Sequence, residues 1–503
     1  MSTERMSRVD AAWLRMDNDV NLMTIVGVWV LEPAVSYDDL VRRLADKLLQ
    51  YGRFRQKVVV DAIGPSWVDD DDFDIHRHVR RETLPRRRGV SPRHALQARC
   101  AELAVTPLDR SRPLWAFHLV ERYEGGSAVV VRIHHCIGDG IALMSVVNAI
   151  TDGGADPPRR RRRRAAHGHE ADWLADAVLE PLTDLTVKAI GMYGDGVVRT
   201  LEALTHPQQP LRGSLAWARS AYQVVGDVAA LAWMDDDSPT SLKGRGSGRK
   251  RVAWNEPLPL DDVKAIGRSL GGSVNDVLLS CVAGAIGAYL RERGEDPSGR
   301  EIRAMVPVNL RPLEQAWKLG NRFGLAPLVL PIGIQHPLQR LYAVRQRMAE
   351  LKGSYQPLLA FGVLAIAGWM VKPLQDAVLG LFSRKATAVM TNVPGPAEPL
   401  TFCGATIRQS IFWVPATGDI GLGVSILSYA GGVQFGLIAD DRLCEDPQAL
   451  VDRFEPEFDK LLWLTMMLPW AGEMPAEPVE AGQDRPVSTR DRKEPGNGPA
   501  SPS

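Results

Sequence analysis

The stretch AVVVRIHHCIGDG, at residues 128–140, joins an apolar run to two histidines and an aspartate. The run AVVVRI is rich in β-branched side chains and is typical of a buried strand. His134 and His135 follow at the position where that strand is expected to end. Catalytic groups commonly occupy such positions, because a rigid scaffold holds them there. The stretch therefore predicts a functional site at the end of a strand.

The residue types in this stretch suit proton transfer. Histidine has an unperturbed pKa of about 6.5, so the neutral imidazole of His135 can remove a proton from a hydroxyl and return it later. Asp139 follows one tight turn away, and Gly138 and Gly140 give the backbone conformational freedom. Taken by itself, such a short pattern is more often structural, with histidines that satisfy hydrogen bonds and an Asp-Gly pair that forms a turn.

A metal site is a further interpretation of the paired histidines. Adjacent residues of a strand point to opposite faces, so the imidazoles of His134 and His135 are not expected to converge on one ion. No other cluster of histidines or carboxylates in the sequence completes a ligand set. The five cysteines are scattered and lack CxxC spacing, which indicates neither a zinc site nor a disulfide framework. The sequence therefore favours neither a metal centre nor an oxidising compartment.

The bulk composition is that of a folded protein with no electrostatic preference for nucleic acid. At 503 residues the chain exceeds what one core usually organises, so two domains of roughly 200 residues each are expected. Hydrophobic residues make up 45% and charged residues 24%, close to the soluble average. Lys plus Arg and Asp plus Glu both number 60, so no nucleic-acid partner is expected.

The N-terminus is charged throughout and lacks a signal peptide's apolar segment, which predicts a cytoplasmic location.

The composition divides the chain into four segments. Residues 1–150 alternate helix and strand signals, and 246–470 do so again. Between them, 151–245 is expected to hold an exposed loop and a helical bridge. The tail, 471–503, is rich in Pro, Gly and charge, which is typical of disorder. This pattern predicts an α/β protein of two similar domains.

Two stretches outside the main pattern bear on lipid contact. Arg159–Arg164 are six consecutive arginines that could attract anionic lipid headgroups or the phosphates of CoA. A solvated charge run in a loop accounts for the six arginines at least as well. The apolar stretch 357–371 is shorter than the ~20 residues of a membrane-spanning helix. We expect it to be a buried core helix, with a helix in the membrane interface as the alternative.

Local signals predict several individual elements. A helix is expected from Ser36, where leucines then recur at helical spacing. Strands are expected at 22–31, 115–120 and 128–133, the last two joined by a hairpin turn. One continuous amphipathic helix is expected over 447–467.

Six further motifs accompany HHCIGDG in a fixed order. They are DAAWLRMD at 10–17, PLW at 113–115, SVNDVLLS at 273–280, VPVNLR at 306–311, GNRFG at 320–324 and TNVPGP at 391–396. Together they resemble the bacterial wax ester synthase/acyl-CoA:diacylglycerol acyltransferase family over about residues 7–467. The chain departs from the family at 397–404, where AEPLTFCG replaces a REPLY-like string, which affects the expected substrate preference more than the chemistry.

The resemblance implies a fold and a reaction. The fold is α/β, with two chloramphenicol-acetyltransferase-like domains, each a mixed sheet flanked by helices, and a substrate channel between them. The implied reaction is O-acyl transfer from acyl-CoA to diacylglycerol or a fatty alcohol, with His135 as the general base and no cofactor. Acyl-CoA is then a co-substrate, and peripheral association with the inner membrane face or lipid inclusions is expected. Oligomeric state is not predicted.

The resemblance also implies roles for residues around the base. His134 and Gly140 are expected to shape the site, and Asp139 to support the loop by pairing with an arginine, for which Arg311 is the candidate. Asn275 and Asp276 match the family's Asn-Asp pair at a helix start, where capping of the helix is the alternative role. Thr391 and Asn392 stand where the family has a Ser-Asn pair in the cleft wall, and the Thr391 hydroxyl could support an oxyanion.

Two alternative functions and one alternative mechanism remain open at this point. A condensation-type acyltransferase that uses a carrier-protein thioester shares the same histidine chemistry, and a catalytically silent lipid-binding protein would share the fold. An acyl-cysteine mechanism through Cys136 is disfavoured, because residues adjacent in sequence rarely place thiolate and imidazole face to face. We therefore expect Cys136 to serve in packing.

Overall fold

The computed structural model describes residues 3–18, 20–62, 64–154, 235–309, 318–352, 380, 383–416 and 418–467. The sixteen strands in these ranges are β1 Thr3–Arg5, β2 Thr24–Glu32, β3 Gln56–Asp61, β4 Gly64–Asp69, β5 Val79–Glu82, β6 Trp115–Tyr123, β7 Gly126–His134, β8 Lys250–Trp254, β9 Leu258–Pro259, β10 Ile302–Asn309, β11 Phe323–Leu330, β12 Ala388–Pro394, β13 Thr401–Phe402, β14 Ala405–Trp413, β15 Leu422–Tyr429 and β16 Gly432–Asp440. The α-helices in these ranges are α1 Arg8–Met16, α2 Tyr37–Asp46, α3 Pro92–Ala104, α4 Gly140–Ile150, α5 Leu260–Leu270, α6 Val274–Glu292, α7 Pro337–Lys352, α8 Pro447–Val451 and α9 Phe454–Met467.

Several predictions fall on residues outside these ranges. They concern Arg311, the arginine run Arg159–Arg164, most of the segment 151–245, the apolar stretch 357–371 and the tail 471–503.

The first large sheet has the strand order β13-β14-β2-β7-β6-β5. Its neighbours pair antiparallel except β5 and β6, which are parallel, so the sheet is mixed. The predicted hairpin between β6 and β7 is present, and Glu124 and Gly125 at its turn both have positive φ. At the other side, β14 from the second half of the chain pairs with β2. The sheet that carries the HHCIGDG segment is therefore completed by residues some 400 positions from the N-terminus.

The second large sheet has seven strands in the order β11-β10-β12-β15-β16-β8, with β9 paired beside β8 on β16. The pairs β10–β12 and β12–β15 are parallel and the others antiparallel, so this sheet is mixed as well. The predicted α/β class with two mixed sheets is confirmed. The predicted domain limits near 151 and 246 stay a prediction, and β13 and β14 lie in the segment 246–470 although they extend the first sheet.

Local capping explains where key helices begin. Ser36 accepts a hydrogen bond from the Asp39 amide at the start of α2, as the sequence predicted. Ser273 and Asp276 form a reciprocal capping box at the start of α6. Helix α6 is long and apolar enough to cross a membrane, but it is mostly buried inside the fold as a core helix is. A large apolar core surrounds it between the second sheet, α5 and α7.

The prediction of one helix over 447–467 was wrong. The segment forms two helices, α8 and α9, that are separated at Asp452 and Arg453. Pro456 supplies the physical reason, because its nitrogen cannot donate to the carbonyl of Asp452 and so cannot continue a helix through that turn. Helix α9 starts at Phe454, where a proline in the first turn costs no helical hydrogen bond.

Candidate active site

His135 lies immediately after β7 and is fixed by both backbone and ring contacts. Its amide donates to the carbonyl of Met23 at 2.7 Å, which continues the pairing with the chain before β2. Its imidazole stacks on Trp13 of α1, with ring centroids 4.0 Å apart and planes 10° from parallel. The ring of Phe323 lies on β11 at 5.6 Å from that of His135. The sequence prediction that His135 follows the end of a strand is confirmed.

Asn321, in the GNRFG segment, holds His135 through both ends of its side-chain amide. Its amide nitrogen Nδ2 donates to the backbone carbonyl of His135 at 2.8 Å and to Oδ1 of Asp10 at 2.7 Å. Its oxygen Oδ1 lies 2.8 Å from Nδ1 of His135. The side chain thus contacts three polar groups at once, and all three belong to α1 or to the segment after β7.

This arrangement determines which nitrogen of His135 carries the proton. A backbone carbonyl can only accept, so the end of the Asn321 amide that faces it must be the nitrogen. The oxygen of Asn321 therefore faces Nδ1 of His135, which must donate a proton to it. In the neutral ring the proton then sits on Nδ1, and Nε2 carries the free electron pair that a general base needs.

Burial affects the charge states of both His135 and Asp10. Burial lowers the pKa of His135 to about 4, against the opposing effects of its own backbone, Asp139 and Asn321. Burial likewise raises the pKa of Asp10, although hydrogen bonds from Asn321 and Ser7 oppose it. His135 is therefore neutral throughout the physiological pH range, which is the form that can accept a proton.

His134 is engaged on the opposite side of the strand end. Its Nδ1 accepts a hydrogen bond from the Cys136 amide at 3.1 Å, and its Nε2 lies 3.2 Å from Oδ2 of Asp17. Burial alone would raise the pKa of Asp17, but contacts with His134, Met23 and Arg110 outweigh it and lower that pKa. Because its ring accepts from the Cys136 amide and lies beside the Asp17 carboxylate, His134 is placed to hold the chain.

Asp139 caps α4 and anchors the GNRFG segment. Its Oδ1 accepts from the amide of Ala142 at 3.0 Å and its Oδ2 from the amide of Arg322 at 2.9 Å. Gly320 runs alongside Gly138 as an isolated parallel bridge. Gly140 is the first residue of α4. These contacts fit the expected loop-supporting role of Asp139. Its proposed partner Arg311 lies outside the described residues.

The remaining predicted residues divide between the cavity wall and a helix start. Thr391 and Asn392 on β12 line the same cavity as His135. Asn392 donates a hydrogen bond to Oδ1 of Asn275 at the start of α6. Asn275 does not itself line the cavity, so it supports the wall through Asn392. The Asp276 carboxylate accepts from the amide and hydroxyl of Ser273 at 2.8 and 2.7 Å, which is helix capping.

Cys136 is fully buried and apart from the cavity residues. Burial raises the pKa of its thiol well above the usual value, so the reactive thiolate is disfavoured. Among the described residues, no group of three or more His, Cys, Asp or Glu side chains is arranged to hold a metal ion.

The cavity beside His135 has a volume of about 500 Å³ and a mostly apolar wall. It extends between the first sheet and α4, and it reaches β10, β11 and β12 of the second sheet. Among the described residues, the polar ones in its wall are His135, Asp139, Asn309, Ser383, Thr391, Asn392 and Ser410. A pocket with an apolar wall and few polar groups suits a hydrocarbon ligand with one reactive polar group.

Sequence reasoning assigned no role to Asp10, Trp13 or Asn321, which surround His135. A signal for them was present, because the first two lie in DAAWLRMD and the third in GNRFG. Their function could not be read from these motifs, since the contacts join residues up to 311 positions apart.

Two mixed sheets, with a histidine after an interior strand and an apolar cavity next to it, agree with the chloramphenicol-acetyltransferase-like fold that the resemblance implied. Solved structures of that fold are similar to this chain. The wax ester synthase/diacylglycerol acyltransferase from Marinobacter aquaeolei VT8 matches with a TM-score of 0.61 and 22% identity, over 92% of this chain and 100% of that one. The first condensation domain of the CDA synthetase matches with a TM-score of 0.54 and 15% identity, over 92% and 96%.

The sequence comparisons define the family. The model of the wax ester synthase/diacylglycerol acyltransferase catalytic domain matches residues 6–278, and that of the family's C-terminal domain matches 319–462. The probable diacylglycerol O-acyltransferase tgs1 of Mycobacterium tuberculosis (strain H37Rv) is 29% identical over 471 residues, 91% of this chain and 95% of that protein. Its relative tgs2 is 28% identical, over 90% and 97%. The chain belongs to the wax ester synthase/diacylglycerol acyltransferase family, and it is an acyltransferase.

Proposed function

We propose that the chain transfers a long-chain acyl group from acyl-CoA to diacylglycerol or a fatty alcohol, which forms triacylglycerol or a wax ester, with His135 as general base. Membership of the family and the names of the relatives support the substrates. The observation that carries the role of His135 is its hydrogen bond to Asn321, which leaves Nε2 without a proton. Acyl-CoA is a co-substrate in this proposal, and no metal or redox cofactor takes part.

The reaction follows from the position of that free electron pair. Nε2 of His135 takes the proton of the acceptor hydroxyl while the hydroxyl oxygen attacks the thioester carbonyl carbon. The carbonyl oxygen becomes an oxyanion as the C–O bond forms. When the C–S bond breaks, the carbonyl re-forms and the CoA thiolate receives the proton from Nε2. The protein ends the cycle in its starting state, with no acyl-enzyme intermediate and no use of Cys136.

The cavity wall offers candidates for the remaining roles. Thr391 lines the cavity with His135, and its hydroxyl is our candidate donor to the oxyanion. Asn392 shares that wall and is held by Asn275, so we assign this pair to the shape of the substrate site. Asp276 contributes through the capping box that fixes the start of α6 next to Asn275.

The acceptor assay tests this function directly. Purified protein is given palmitoyl-CoA with hexadecanol, with dioleoylglycerol or with no acceptor, and free CoA is measured with a thiol reagent. We expect release that depends on an acceptor, because direct attack needs the hydroxyl. Release at the same rate without any acceptor would indicate a thioesterase, and no release with either acceptor would refute the proposed function.

We also propose that the protein works peripherally at the cytoplasmic face of the inner membrane or on lipid inclusions. Its proposed substrates partition into lipid, and Trp463 of α9 is 63% exposed, an amphipathic side chain of the kind found at membrane interfaces. Flotation with anionic phosphatidylglycerol vesicles tests this location. Binding that falls as salt rises supports an electrostatic contribution, salt-independent binding supports an apolar one, and no flotation would contradict the proposal.

A further inference from the structure

Gly27 leaves a gap in the sheet face that forms one wall of the cavity. It lies in the middle of β2, directly opposite Val131 on β7 and Phe412 on β14. Residues directly opposite in antiparallel strands share a face, as do residues two apart along one strand. Ile25, Trp29, Val131 and Phe412 therefore surround Gly27 on one face, and all five residues line the cavity. We call this gap the Gly27 notch.

The notch has no steric explanation in the protein itself. A Cβ atom placed on Gly27 would lie 3.5 Å from the carbonyl oxygen of Ile411 and 3.9 Å from Cβ of Phe412, which are ordinary contacts. Other strand glycines differ, since a Cβ on Gly126 would lie 1.9 Å from the oxygen of Leu31, and one on Gly423 2.6 Å from Cγ2 of Ile438. Backbone and packing thus require glycine at those positions and tolerate a Cβ atom at 27.

Glycine in a strand interior weakens a sheet, because it has no side chain to pack and loses more backbone entropy on folding. Such a glycine commonly marks a place where a ligand approaches the strand closely. At Gly27 the volume left free is continuous with the cavity that contains His135.

The surroundings of the notch indicate what occupies it. Apolar side chains of α4 line the cavity across from the sheet, among them Val146, Val147 and Ile150. Leu48 lines it as well. No charged side chain of the described residues other than Asp139, which caps α4, borders this cavity. An unbranched hydrocarbon chain needs no hydrogen-bond partner and matches such a wall.

We propose that the Gly27 notch receives part of the linear hydrocarbon chain of a substrate and thereby sets the longest chain that the enzyme uses well. The inference rests on the proposed function, since it concerns chains that reach the cavity beside His135. The chain belongs either to the acyl group of acyl-CoA or to the lipid alcohol, and the two are separated by experiment.

The test is a chain-length profile of Gly27→Val. One arm varies acyl-CoA from ten to eighteen carbons at fixed hexadecanol, and the other varies the alcohol at fixed palmitoyl-CoA. A buried methylene is worth about fourfold in binding, so a valine that displaces three methylenes should lower kcat/KM for long chains relative to short ones by up to about sixtyfold. The arm that shifts identifies the chain in the notch, and Gly27→Ala should give a smaller shift in the same arm.

Val28→Leu is the matched control on the same strand. Val28 is fully buried on the opposite face, and its own side chain does not line the cavity. This change should lower the Tm through overpacking and leave both chain-length profiles unchanged. Gly27→Val should keep its Tm, because valine favours strands.

The outcomes distinguish the role of the Gly27 notch from the proposed function. An active wild type with a folded Gly27→Val variant whose two profiles match the wild type would overturn the role of the notch and leave the proposed function intact. A wild type that transfers no acyl group to any acceptor would refute the proposed function, and the notch with it.

Discussion

Replacement of Asn321 by alanine isolates the device that orients His135. The change removes the acceptor of the His135 Nδ1–H and the donor to the His135 carbonyl, two buried groups that then lack these partners. Each such group costs about 1–3 kcal/mol, so we expect a loss of roughly 2–6 kcal/mol in the free energy of unfolding. Asp10 keeps its hydrogen bond from the amide of residue 321, which limits the damage on that side.

The same change should lower turnover far more than binding. Without Asn321 the imidazole of His135 can rotate or take up its proton on Nε2, and a misplacement of about 1 Å costs on the order of 100-fold in rate. Asn321 does not line the cavity, so KM should stay within about threefold of the wild type. The assay is initial-rate CoA release at several palmitoyl-CoA concentrations, together with urea unfolding followed by circular dichroism.

Asn255→Ala is the matched control for the loss of a buried amide. Its Oδ1 accepts from the Phe435 amide at 2.7 Å, in the second sheet and away from the cavity. One buried group is left without its partner here, so we expect a loss of about 1–3 kcal/mol in the free energy of unfolding and an unchanged turnover per folded molecule. If Asn321→Ala were destabilised to the same extent and kept a kcat within twofold of the wild type, the orienting role of Asn321 would be wrong.

Two further predictions concern the base His135 and the neighbouring thiol of Cys136. A histidine of ordinary pKa 6.5 would be only about 3% neutral at pH 5, whereas burial lowers the pKa of His135 to about 4, so kcat/KM should remain near nine-tenths of its plateau at pH 5 and fall as the pH drops through 4. An activity midpoint near 6.5, with circular dichroism unchanged over that range, would contradict a buried neutral base. Cys136→Ala should retain most of the wild-type activity, because burial raises the pKa of the thiol and the proposed reaction does not use it. A loss of more than about 100-fold in a folded variant would instead favour an acyl-cysteine intermediate.

The features that sequence predicted well have local causes. The helix after Ser36 depends on a cap, in which the Ser36 side chain accepts from the amide of Asp39, and on leucines spaced at helical intervals. The β6–β7 hairpin depends on a turn between two apolar runs, and it delivers His134 and His135 to the end of a strand as expected. Such patterns are complete within a few residues, so no knowledge of the tertiary fold is needed to recognise them.

The features that sequence did not predict depend on contacts between distant segments. The addition of β14 to β2 pairs Trp413 with Val26, and no local periodicity specifies that partner. The hydrogen bond between Asn321 and His135 likewise spans 186 positions. Both segments were recognised as motifs, but only the folded chain brings their polar groups within hydrogen-bond distance and fixes the tautomer of His135.

The proposed mechanism requires Nε2 of His135 to remove the proton of a lipid hydroxyl. The most direct measurement is the formation of labelled triacylglycerol or wax ester from labelled palmitoyl-CoA by His135→Ala, next to wild type and Cys136→Ala, with folding checked by circular dichroism. We expect His135→Ala to lose about 10²- to 10⁴-fold in kcat while Cys136→Ala stays near the wild type. A folded His135→Ala variant that forms product within tenfold of the wild-type rate would contradict the claim.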